Sequence, residues 1–407
     1  MERPYVKAII TEKAERAARN GHPWVYGEEI TSLSSAPENG EIVDVYTKKE
    51  RWLGAGFYNS NSKIRVRILS RNTNDRFDEA FFERRIRHAV EYRRTVMGGD
   101  FSSCRLIFGE ADFFPGFTVD KFGDILVTEV LSYGIDARRD MLYPLLVKAL
   151  ADVGVKVRAI YERNEDSLRD KEGIPKYKGF YRMEGLEDNL DGHVEICENG
   201  VFYDVDYING QKTGFFLDQK YNRAAAARLA AGRSVLDCCT HTGAFALNAA
   251  KAGAKEVTAV DVSQDALDVA FRNAQRNGVA DKVRFLRADM FDLLDELVES
   301  KSKAYDFIIL DPPAFTKSGA TVKNAYRGYK EINLKAMRAL PRGGYLATCS
   351  CSHFMPRELF EKMLTEAAFD AGVQLRQIEA RQQAPDHPVL WGVPETDYLK
   401  FYLFQVT

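Results

Sequence analysis

The segment that most constrains the fold runs from residue 234 to residue 261 and reads SVLDCCTHTGAFALNAAKAGAKEVTAVD. It contains an apolar run ending at Asp237, a tight turn with Gly243, an alanine-rich stretch, and a second apolar run ending at Asp261. Short apolar runs bounded by turn residues are typical of buried parallel strands, and the alanine-rich stretch predicts a helix. The segment therefore predicts a strand–turn–helix–strand unit with a right-handed crossover.

Ligands of open α/β sheets bind at the carboxyl ends of the strands. Asp261 follows Gly243 by 18 residues, where its carboxylate is placed to accept hydrogen bonds from two ribose hydroxyls. The turn has one glycine, in a D-x-x-x-x-x-G pattern, and lacks the G-x-G-x-x-G fingerprint that lets backbone approach a pyrophosphate. This favours S-adenosylmethionine (SAM), a nucleoside without phosphate, over a nicotinamide dinucleotide. An α/β core without a ligand is the alternative that this segment leaves open.

The alternation of apolar runs and helical segments continues beyond the second strand. Ser263 is a good N-cap for the next helix, and Asp289 follows the third run, from where an acid can reach an adenine amino group. Asp311 ends the fourth run within the motif D-P-P, and Cys351 ends the fifth. These polar ends are expected to share one edge of the sheet. The residues expected to hold SAM there are Gln219, Asp237, Thr242, Gly243, Asp261, Ser263, Asp289 and Asp311.

Composition limits the remaining possibilities. A chain of 407 residues is expected to form two or three domains. Its net charge of −2 excludes a globally basic nucleic-acid-binding protein, so any RNA contact must come from local patches. The beginning of the chain lacks the apolar core of a signal peptide, and no run has membrane-spanning length. The six cysteines form no C-x-x-C pair and no disulfide-framework spacing, which favours a reduced, cytoplasmic setting. A Cys-x-Cys metal site would need further ligands, so no metal site is predicted.

Two segments precede the α/β region. Residues 1–72 read as one helix and several short strands, in which Lys63, Arg65 and Arg67 alternate with apolar residues. This segment has 12 Lys and Arg against 9 Asp and Glu, and it predicts a small β-barrel whose basic strand face contacts RNA. A solvated strand face is the alternative. Residues 73–205 predict a small α+β domain, and Asn199-Gly200 and Asn209-Gly210 are both typical of hairpin turns.

Cys351 is the candidate catalytic nucleophile. Carbon 5 of a pyrimidine is a poor nucleophile, but a thiolate that adds at C6 turns the ring into an enamine that takes a methyl group at C5. Such a thiol must be partly ionised, which exposure in an electropositive site favours. Asp311 is the second catalytic candidate, donating to N3 if protonated or accepting from the N4 amino group if ionised. Burial of Cys351 as a small apolar residue is the alternative.

A basic and aromatic segment, TKSGATVKNAYRGYK, follows the D-P-P motif. Lys317 and Arg327 are its candidate phosphate contacts, and its tyrosines could stack on bases of single-stranded or flipped RNA. A mobile surface loop is the alternative interpretation.

With these residues in view, the chain resembles the RlmI-type 23S ribosomal RNA (cytosine-5) methyltransferases over nearly its whole length. The motifs that carry the resemblance are HPWVY at 22–26, PGFTVDKFG at 115–123, IYERNEDSLRDKEG at 160–173, KTGFFLDQK at 212–220, VLDCCTHTGAF, DVSQDAL, LDPPAF, SCS at 350–352 and PDHPV at 385–389. The resemblance implies a PUA domain at 1–72, a central α+β domain at 73–205, and a Rossmann-like class I SAM-dependent methyltransferase domain at 206–407.

The resemblance also implies roles. It makes Cys351 the nucleophile, SAM the methyl donor, and 23S ribosomal RNA or a large-subunit assembly particle the partner. Ala314 stands where a two-cysteine group of RNA cytosine-5 methyltransferases has its second cysteine, so a different group must assist product release. A guanine N-methyltransferase with a structural Cys351, or a non-enzymatic SAM-binding assembly factor, are the competing hypotheses. The target nucleotide, the base that removes the C5 proton and the oligomeric state, a homodimer included, are left open.

Overall fold

The computed structural model describes residues 3–316 and 318–407. The chain divides into two compact units: residues up to 194 with 205–217 and 385–396, and residues 195–204 with 218–384 and 397–407. The first unit contains both the N-terminal and most of the central predicted segment, so the division into three domains stays a prediction. Among the described residues, no helix combines the length and the apolar character needed to cross a membrane.

The N-terminal part of the first unit is a six-stranded sheet with one helix, α1 (Glu12–Arg19). Its strands are β1 (Val6–Ile10), β2 (Trp24–Tyr26), β3 (Ile30–Leu33), β4 (Ile42–Tyr46), β5 (Trp52–Tyr58) and β6 (Ile64–Ser70). The order is β2-β6-β5-β4-β1-β3, and β1 and β4 are the parallel pair. The edge strands β2 and β3 are joined by one 3₁₀ turn, Gly27–Glu29, which spans about 10 Å at most. The sheet must therefore curl until its edges approach, as the predicted small barrel requires.

The rest of the first unit is built on a five-stranded sheet. Its elements are α2 (Glu79–Met97), β7 (Ser103–Phe108), β8 (Phe117–Phe122), β9 (Ile125–Val130), α3 (Tyr133–Asp136), α4 (Arg139–Ala151), β10 (Ala159–Asn164), α5 (Leu168–Glu172) and β11 (Tyr177–Phe180). The strand order is β11-β10-β9-β8-β7, with β9 and β10 parallel. Helix α2 begins where the Asp78 side chain accepts a hydrogen bond from the Phe81 amide. Its buried face includes Phe82, Ile86 and Val90, whose spacing predicts this helix.

Strands β12 (His193–Glu198) and β13 (Val201–Asp206) form a hairpin. Its turn residues, Asn199 and Gly200, have φ of 54° and 76°, which a two-residue turn between twisted strands requires. The hairpin predicted at Asn209-Gly210 is wrong, because no strand follows it before residue 217. The Asp206 carboxylate instead accepts hydrogen bonds from the amides of residues 208 and 209, which closes a local turn.

The second unit contains a seven-stranded sheet. Its elements are α6 (Lys220–Ala227), β14 (Ser234–Cys238), α7 (Ala244–Lys251), β15 (Glu256–Asp261), α8 (Gln264–Arg276), β16 (Val283–Arg287), α9 (Met290–Glu299), β17 (Phe307–Leu310), α10 (Val322–Ala339), β18 (Tyr345–Ser350), α11 (Arg357–Ala371), β19 (Leu375–Arg381) and β20 (Lys400–Val406). The order is β16-β15-β14-β17-β18-β20-β19. Strand β20 runs antiparallel to both of its neighbours, β18 and β19.

This order confirms the predicted α/β fold and defines where a ligand binds. Helices α9, α10 and α11 pack in one core with the sheet, while α7 contacts both α6 and α8. The strand order reverses between β14 and β17, which are adjacent and parallel. The crevice at such a switch point, beyond the carboxyl ends of the strands, is the binding site of open α/β sheets.

Candidate active site

The turn that leaves β14 has an unusual backbone. Cys239, His241 and Gly243 have φ of 62°, 52° and 86°, all in the left-handed region. A Cβ on Gly243 would lie 3.1 Å from the Cβ of Ala270 in α8, so both conformation and space require glycine there. Two non-glycine residues in this region cost conformational energy, which is characteristic of ligand-binding turns.

Two buried polar atoms beside this turn lack hydrogen-bond partners. Asp237 Oδ2 accepts from Thr240 Oγ1 at 2.6 Å and from the Ala246 amide at 2.9 Å. Asp237 Oδ1 and Thr242 Oγ1 have no partner within the described residues. Burial raises the pKa of Asp237 to about 7. Unsatisfied buried polar atoms are rare in folded proteins, and the two here fit a ligand rich in hydrogen-bonding groups, as SAM is.

The next two acids lie at the same sheet edge. Asp261, the last residue of β15, accepts from the amides of His241 at 2.9 Å and Ser263 at 3.0 Å. A carboxylate has about four acceptor positions, so this one retains capacity for ribose hydroxyls. Ser263 Oγ accepts from the Ala266 amide, as the predicted N-cap of α8. Asp289 is exposed, and its carboxylate caps α9 by accepting from the amide of residue 291 at 2.7 Å.

Asp311 directly follows β17 and begins the Asp311 loop, residues 311–316. Its Oδ1 accepts a 3.1 Å hydrogen bond from Gln219 Nε2. Asn222 Nδ2 donates to Gln219 Oε1 at 2.7 Å and thereby orients the amide. Burial, with a contribution from the nearby Asp218 carboxylate, raises the pKa of Asp311 to about 6. Asp311 therefore carries a mostly ionised carboxyl group at neutral pH that is readily protonated.

Cys351 directly follows β18 and begins the Cys351 loop, residues 351–356. Its Sγ lies 4.0 Å from the Pro312 carbonyl oxygen. Ser352 Oγ donates to the Thr316 carbonyl at 2.9 Å, so both ends of the Asp311 loop contact the Cys351 loop. Cys349, two residues earlier in β18, is fully buried. The structure thus brings the two predicted catalytic residues, Cys351 and Asp311, onto adjacent loops.

The electrostatic surroundings of Cys351 differ from the sequence-based expectation. Burial and the carboxylates of Asp311 and Asp218 raise the pKa of Cys351 to about 12, while Lys400 acts in the opposite direction. The expected electropositive site is therefore not formed by the described residues alone, because two acids lie close to the thiol. In this state Cys351 is a neutral thiol.

The predicted RNA-contacting residues differ in their exposure and in their hydrogen-bond partners. Lys63 and Arg327 are exposed, whereas Arg65 Nη1 donates to the backbone carbonyls of residues 59 and 60. Arg67 is less accessible: its side chain is 12% exposed and pairs with Glu172 at 2.8 Å and Glu110 at 3.4 Å. Two carboxylates already contact this guanidinium, and an RNA contact by Arg67 stays a prediction. Lys317 lies outside the described residues.

One neighbour of Cys351 was not singled out from the sequence. Lys400 is buried at the start of β20 and donates to the Ser352 carbonyl. No local motif marks Lys400, because its proximity to Cys351 depends on strand order. Tyr329, one of the tyrosines expected to stack on bases, is instead fully buried in α10.

Comparison with known proteins identifies the families of two segments of the chain. A PUA-like domain family matches residues 8–71, and the S-adenosylmethionine-dependent methyltransferase family matches residues 176–404. A solved Streptococcus mutans protein, provisionally assigned as a SAM-dependent methyltransferase, superposes with a TM-score of 0.81 at 20% identity, covering 98% of this chain and 99% of its own. A methyltransferase solved in complex with SAH gives a TM-score of 0.82 at 20% identity over the same shares. These structures share the fold.

Closer similarity is found to proteins named ribosomal RNA large subunit methyltransferase I. The one from Pseudoalteromonas translucida (strain TAC 125) is 39% identical over 96% of this chain and 97% of its own length. The one from Klebsiella pneumoniae (strain 342) is 37% identical over 99% of this chain and 98% of its own length. Identity at this level over nearly the full length of both chains establishes the family. The chain belongs to the ribosomal RNA large subunit methyltransferase I family of SAM-dependent methyltransferases.

Proposed function

We propose that this protein methylates carbon 5 of a cytosine in 23S ribosomal RNA, with SAM as methyl donor and Cys351 as covalent nucleophile. The observation that carries the proposal is the position of the Cys351 thiol, at the carboxyl edge of the sheet and against the Asp311 loop. Methylation of a nitrogen needs no protein nucleophile, whereas methylation of C5 does. The names of the full-length relatives support ribosomal RNA as the substrate.

The residues proposed to hold SAM surround the switch point of the sheet. Asp261 is assigned to the ribose hydroxyls, Asp289 to the adenine amino group, and Gly243 to the close approach of the turn. The unpartnered polar atoms of Asp237 and Thr242 are assigned to the remaining polar groups of the ligand. Ser263 and Gln219 support Asp261 and Asp311 through hydrogen bonds. SAM supplies an electrophilic methyl group when it is bound.

The covalent step is proposed to start from the Cys351 thiolate. Sγ bonds to C6 of the cytosine, and the ring electrons shift towards C5, which becomes nucleophilic. After C5 has taken up the methyl group, its proton leaves to solvent and the electrons of the C5–H bond re-form the ring double bond. The Sγ–C6 bond breaks in the same event, its electrons return to sulfur, and the thiolate is regenerated.

Asp311 is proposed to orient the base. Its Oδ1 is held by Gln219, which leaves the carboxyl group to accept from the cytosine N4 amino group when ionised. When protonated, it donates to N3 as negative charge develops on the ring. Because the pKa of Asp311 is raised to about 6 by burial, both forms are accessible near neutral pH.

RNA is proposed to contact Lys63 and Arg65 through the PUA-like segment, and Arg327 through α10. The PUA-like match at 8–71 supports a domain boundary near residue 72. The boundary between 205 and 206, and a separate central domain at 73–205, remain part of the proposal.

Replacement of Cys351 tests the function directly. In cells that lack the native gene, wild-type protein should restore one 5-methylcytosine mark in 23S ribosomal RNA, read by bisulfite sequencing. Cys351→Ala should reduce methylation in vitro by ~10³-fold or more, because removal of a covalent nucleophile abolishes the activated intermediate. The control Cys197→Ala, which removes an exposed cysteine in β12, should restore the mark fully.

The alternative is a guanine N-methyltransferase in which Cys351 is structural. The raised pKa of Cys351, which keeps the thiol neutral at pH 7, is the observation that favours it. Under this alternative Cys351→Ala retains most activity, and mass spectrometry finds the transferred methyl group on guanine. Either result would overturn the cytosine-5 assignment. A non-enzymatic SAM-binding assembly factor, the other alternative, would bind SAM in a calorimetric titration but transfer no methyl group to ribosomal RNA.

A further inference from the structure

A buried lysine lies beside the proposed nucleophile. Lys400 is the first residue of β20 and pairs with Ser350, the last residue of the antiparallel neighbour β18. Its side chain is buried, with 2% of the residue exposed. Nζ donates to the backbone carbonyls of Ser352 at 2.6 Å and of Tyr398 at 2.8 Å. The strand partner of Lys400 is Ser350, and the Lys400 ammonium binds the carbonyl of Ser352. Cys351 lies between these two residues in the chain.

The strand pairing does not explain why this position is charged. Lysine is almost never fully buried unless its charge is compensated, and an apolar side chain would serve the same β-sheet register. An ammonium carries three N–H donors, and within residues 3–316 and 318–407 two of the three on Lys400 have acceptors. The Lys400 side chain thus binds the Cys351 loop and retains one donor.

We propose that Lys400 is a positioning residue for Cys351: it anchors the Cys351 loop through the Ser352 carbonyl and provides the positive charge that the Cys351 thiolate faces. This role rests on the proposed function, because only a nucleophilic Cys351 requires a thiolate. Lys400 does not touch the base or the methyl donor. It acts through Cys351, both when the thiol loses its proton to solvent and when the thiolate is released from C6.

The charges around the pair set the pH range of this effect. Asp311, Asp218, Tyr329 and Cys349 face Cys351. Asp397 and Arg357 face Lys400. Burial lowers the pKa of Lys400 to about 8. Below that pH the ammonium is charged and lowers the pKa of Cys351 against the two carboxylates; above it the stabilisation of the thiolate is progressively lost.

Alkylation of Cys351 measures its thiolate directly, without RNA. Wild-type protein and variants are treated with iodoacetamide between pH 6 and pH 10, and the rate is followed on the Cys351 peptide by mass spectrometry. Lys400→Met and Lys400→Gln should alkylate ~10-fold or more slowly than wild type at pH 7.5, because the thiolate has lost its facing charge. Lys400→Arg, which keeps the charge, should remain within about threefold of wild type.

Lys121 is a matched control in the first unit. It is 3% exposed, and its Nζ also donates to two backbone carbonyls, of Phe101 and Ser102. Lys121→Met removes an equally buried ammonium and should leave Cys351 alkylation unchanged. Wild-type alkylation rates in both Lys400→Met and Lys400→Gln would overturn the proposal. If Lys400→Met does not fold, the comparison of Lys400→Gln with Lys400→Arg decides, since glutamine retains a donor for Ser352 without the charge.

A methylation pH profile separates a positioning role from a purely structural one. Loss of the facing charge should move the activity optimum of Lys400→Gln to higher pH, whereas a structural defect lowers activity equally at all pH values. Retained methylation by Cys351→Ala would defeat the proposed function and leave the alkylation result intact. Unchanged alkylation in the Lys400 variants, with inactive Cys351→Ala, would defeat only the role of Lys400.

Discussion

Two aspartates of the methyltransferase site hold protons far above the usual pH range of a carboxyl group. Burial raises the pKa of Asp237 to about 7 and that of Asp311 to about 6. Both lie at the proposed SAM site, and Asp237 Oδ1 has no partner within the described residues. Functional sites commonly contain carboxyl groups with such perturbed pKa values. The ionised form of each carboxyl group is therefore less stable here than in water.

This predicts a pH-dependent stability difference. Between about pH 4 and pH 7 the folded protein binds the Asp237 proton and the unfolded chain does not, so stability must fall as pH rises. Urea unfolding without SAM should show wild type losing stability relative to Asp237→Asn across this range. Asp281→Asn, at an exposed carboxylate, should show no such trend. A constant difference between wild type and Asp237→Asn at all pH values would contradict the raised pKa.

The conformation of Gly243 allows a second prediction about a single residue. Alanine there must adopt φ of 86° and place its Cβ 3.1 Å from Ala270. Gly243→Ala should destabilise the fold by about 1–3 kcal/mol and weaken SAM binding about tenfold, measured by thermal unfolding and calorimetry. Gly253 has φ of 91° and open space around its Cβ position. The control Gly253→Ala therefore measures the free-energy cost of the backbone conformation alone. Equal effects of the two alanine variants would exclude a packing role for Gly243.

Among the elements, helix α2 contains a fully buried charge, that of Arg93. Arg93 donates to both oxygens of Asp112 at 2.5 and 2.7 Å, and to the carbonyls of residues 105 and 386. Asp386 belongs to the PDHPV motif, and its carboxylate accepts from the Arg105 amide. This motif, singled out by resemblance, therefore has a structural role in the first unit.

Arg93→Met should cost about 3–5 kcal/mol, because it leaves a buried Asp112 without its partner. Arg94, the next residue, forms an exposed pair with Glu91 on the same helix, and Arg94→Met should change stability by less than about 1 kcal/mol. Chemical denaturation of both variants checks the difference. Similar losses would show that helix propensity, common to both positions, controls the stability of α2.

At the scale of the whole molecule, a net charge of −2 means that RNA affinity depends on few local contacts. Removal of one phosphate contact should reduce the slope of log affinity against log salt by about 0.7–0.9. Lys63→Gln and Arg327→Gln should each do so with a ribosomal RNA fragment in a filter-binding assay. Lys251→Gln, in α7, makes the same change in net charge and should leave the slope unchanged. An identical slope in all three variants would remove Lys63 and Arg327 from the RNA interface.

The sequence by itself determined the α/β alternation, the polar ends of the strands and the turn proposed to bind SAM. These features are local: a buried strand needs a continuous apolar run, and a turn with positive φ needs glycine at Gly243. Asp261, Asp311 and Cys351 could be placed at one sheet edge because parallel strands end on the same side. The family resemblance followed from the same motifs and extended to the PUA-like segment.

Only the tertiary structure decided which charged groups meet. Arg67 alternates with apolar residues as a solvated arginine would, yet it pairs with Glu110 and Glu172, which are distant in sequence. Lys400 lies 49 positions after Cys351 and reaches its loop because β20 returns antiparallel beside β18. Strand order and burial set such pairings, and with them the pKa of each group. A residue pattern specifies which face is apolar, but it does not specify which partner lies across the strand.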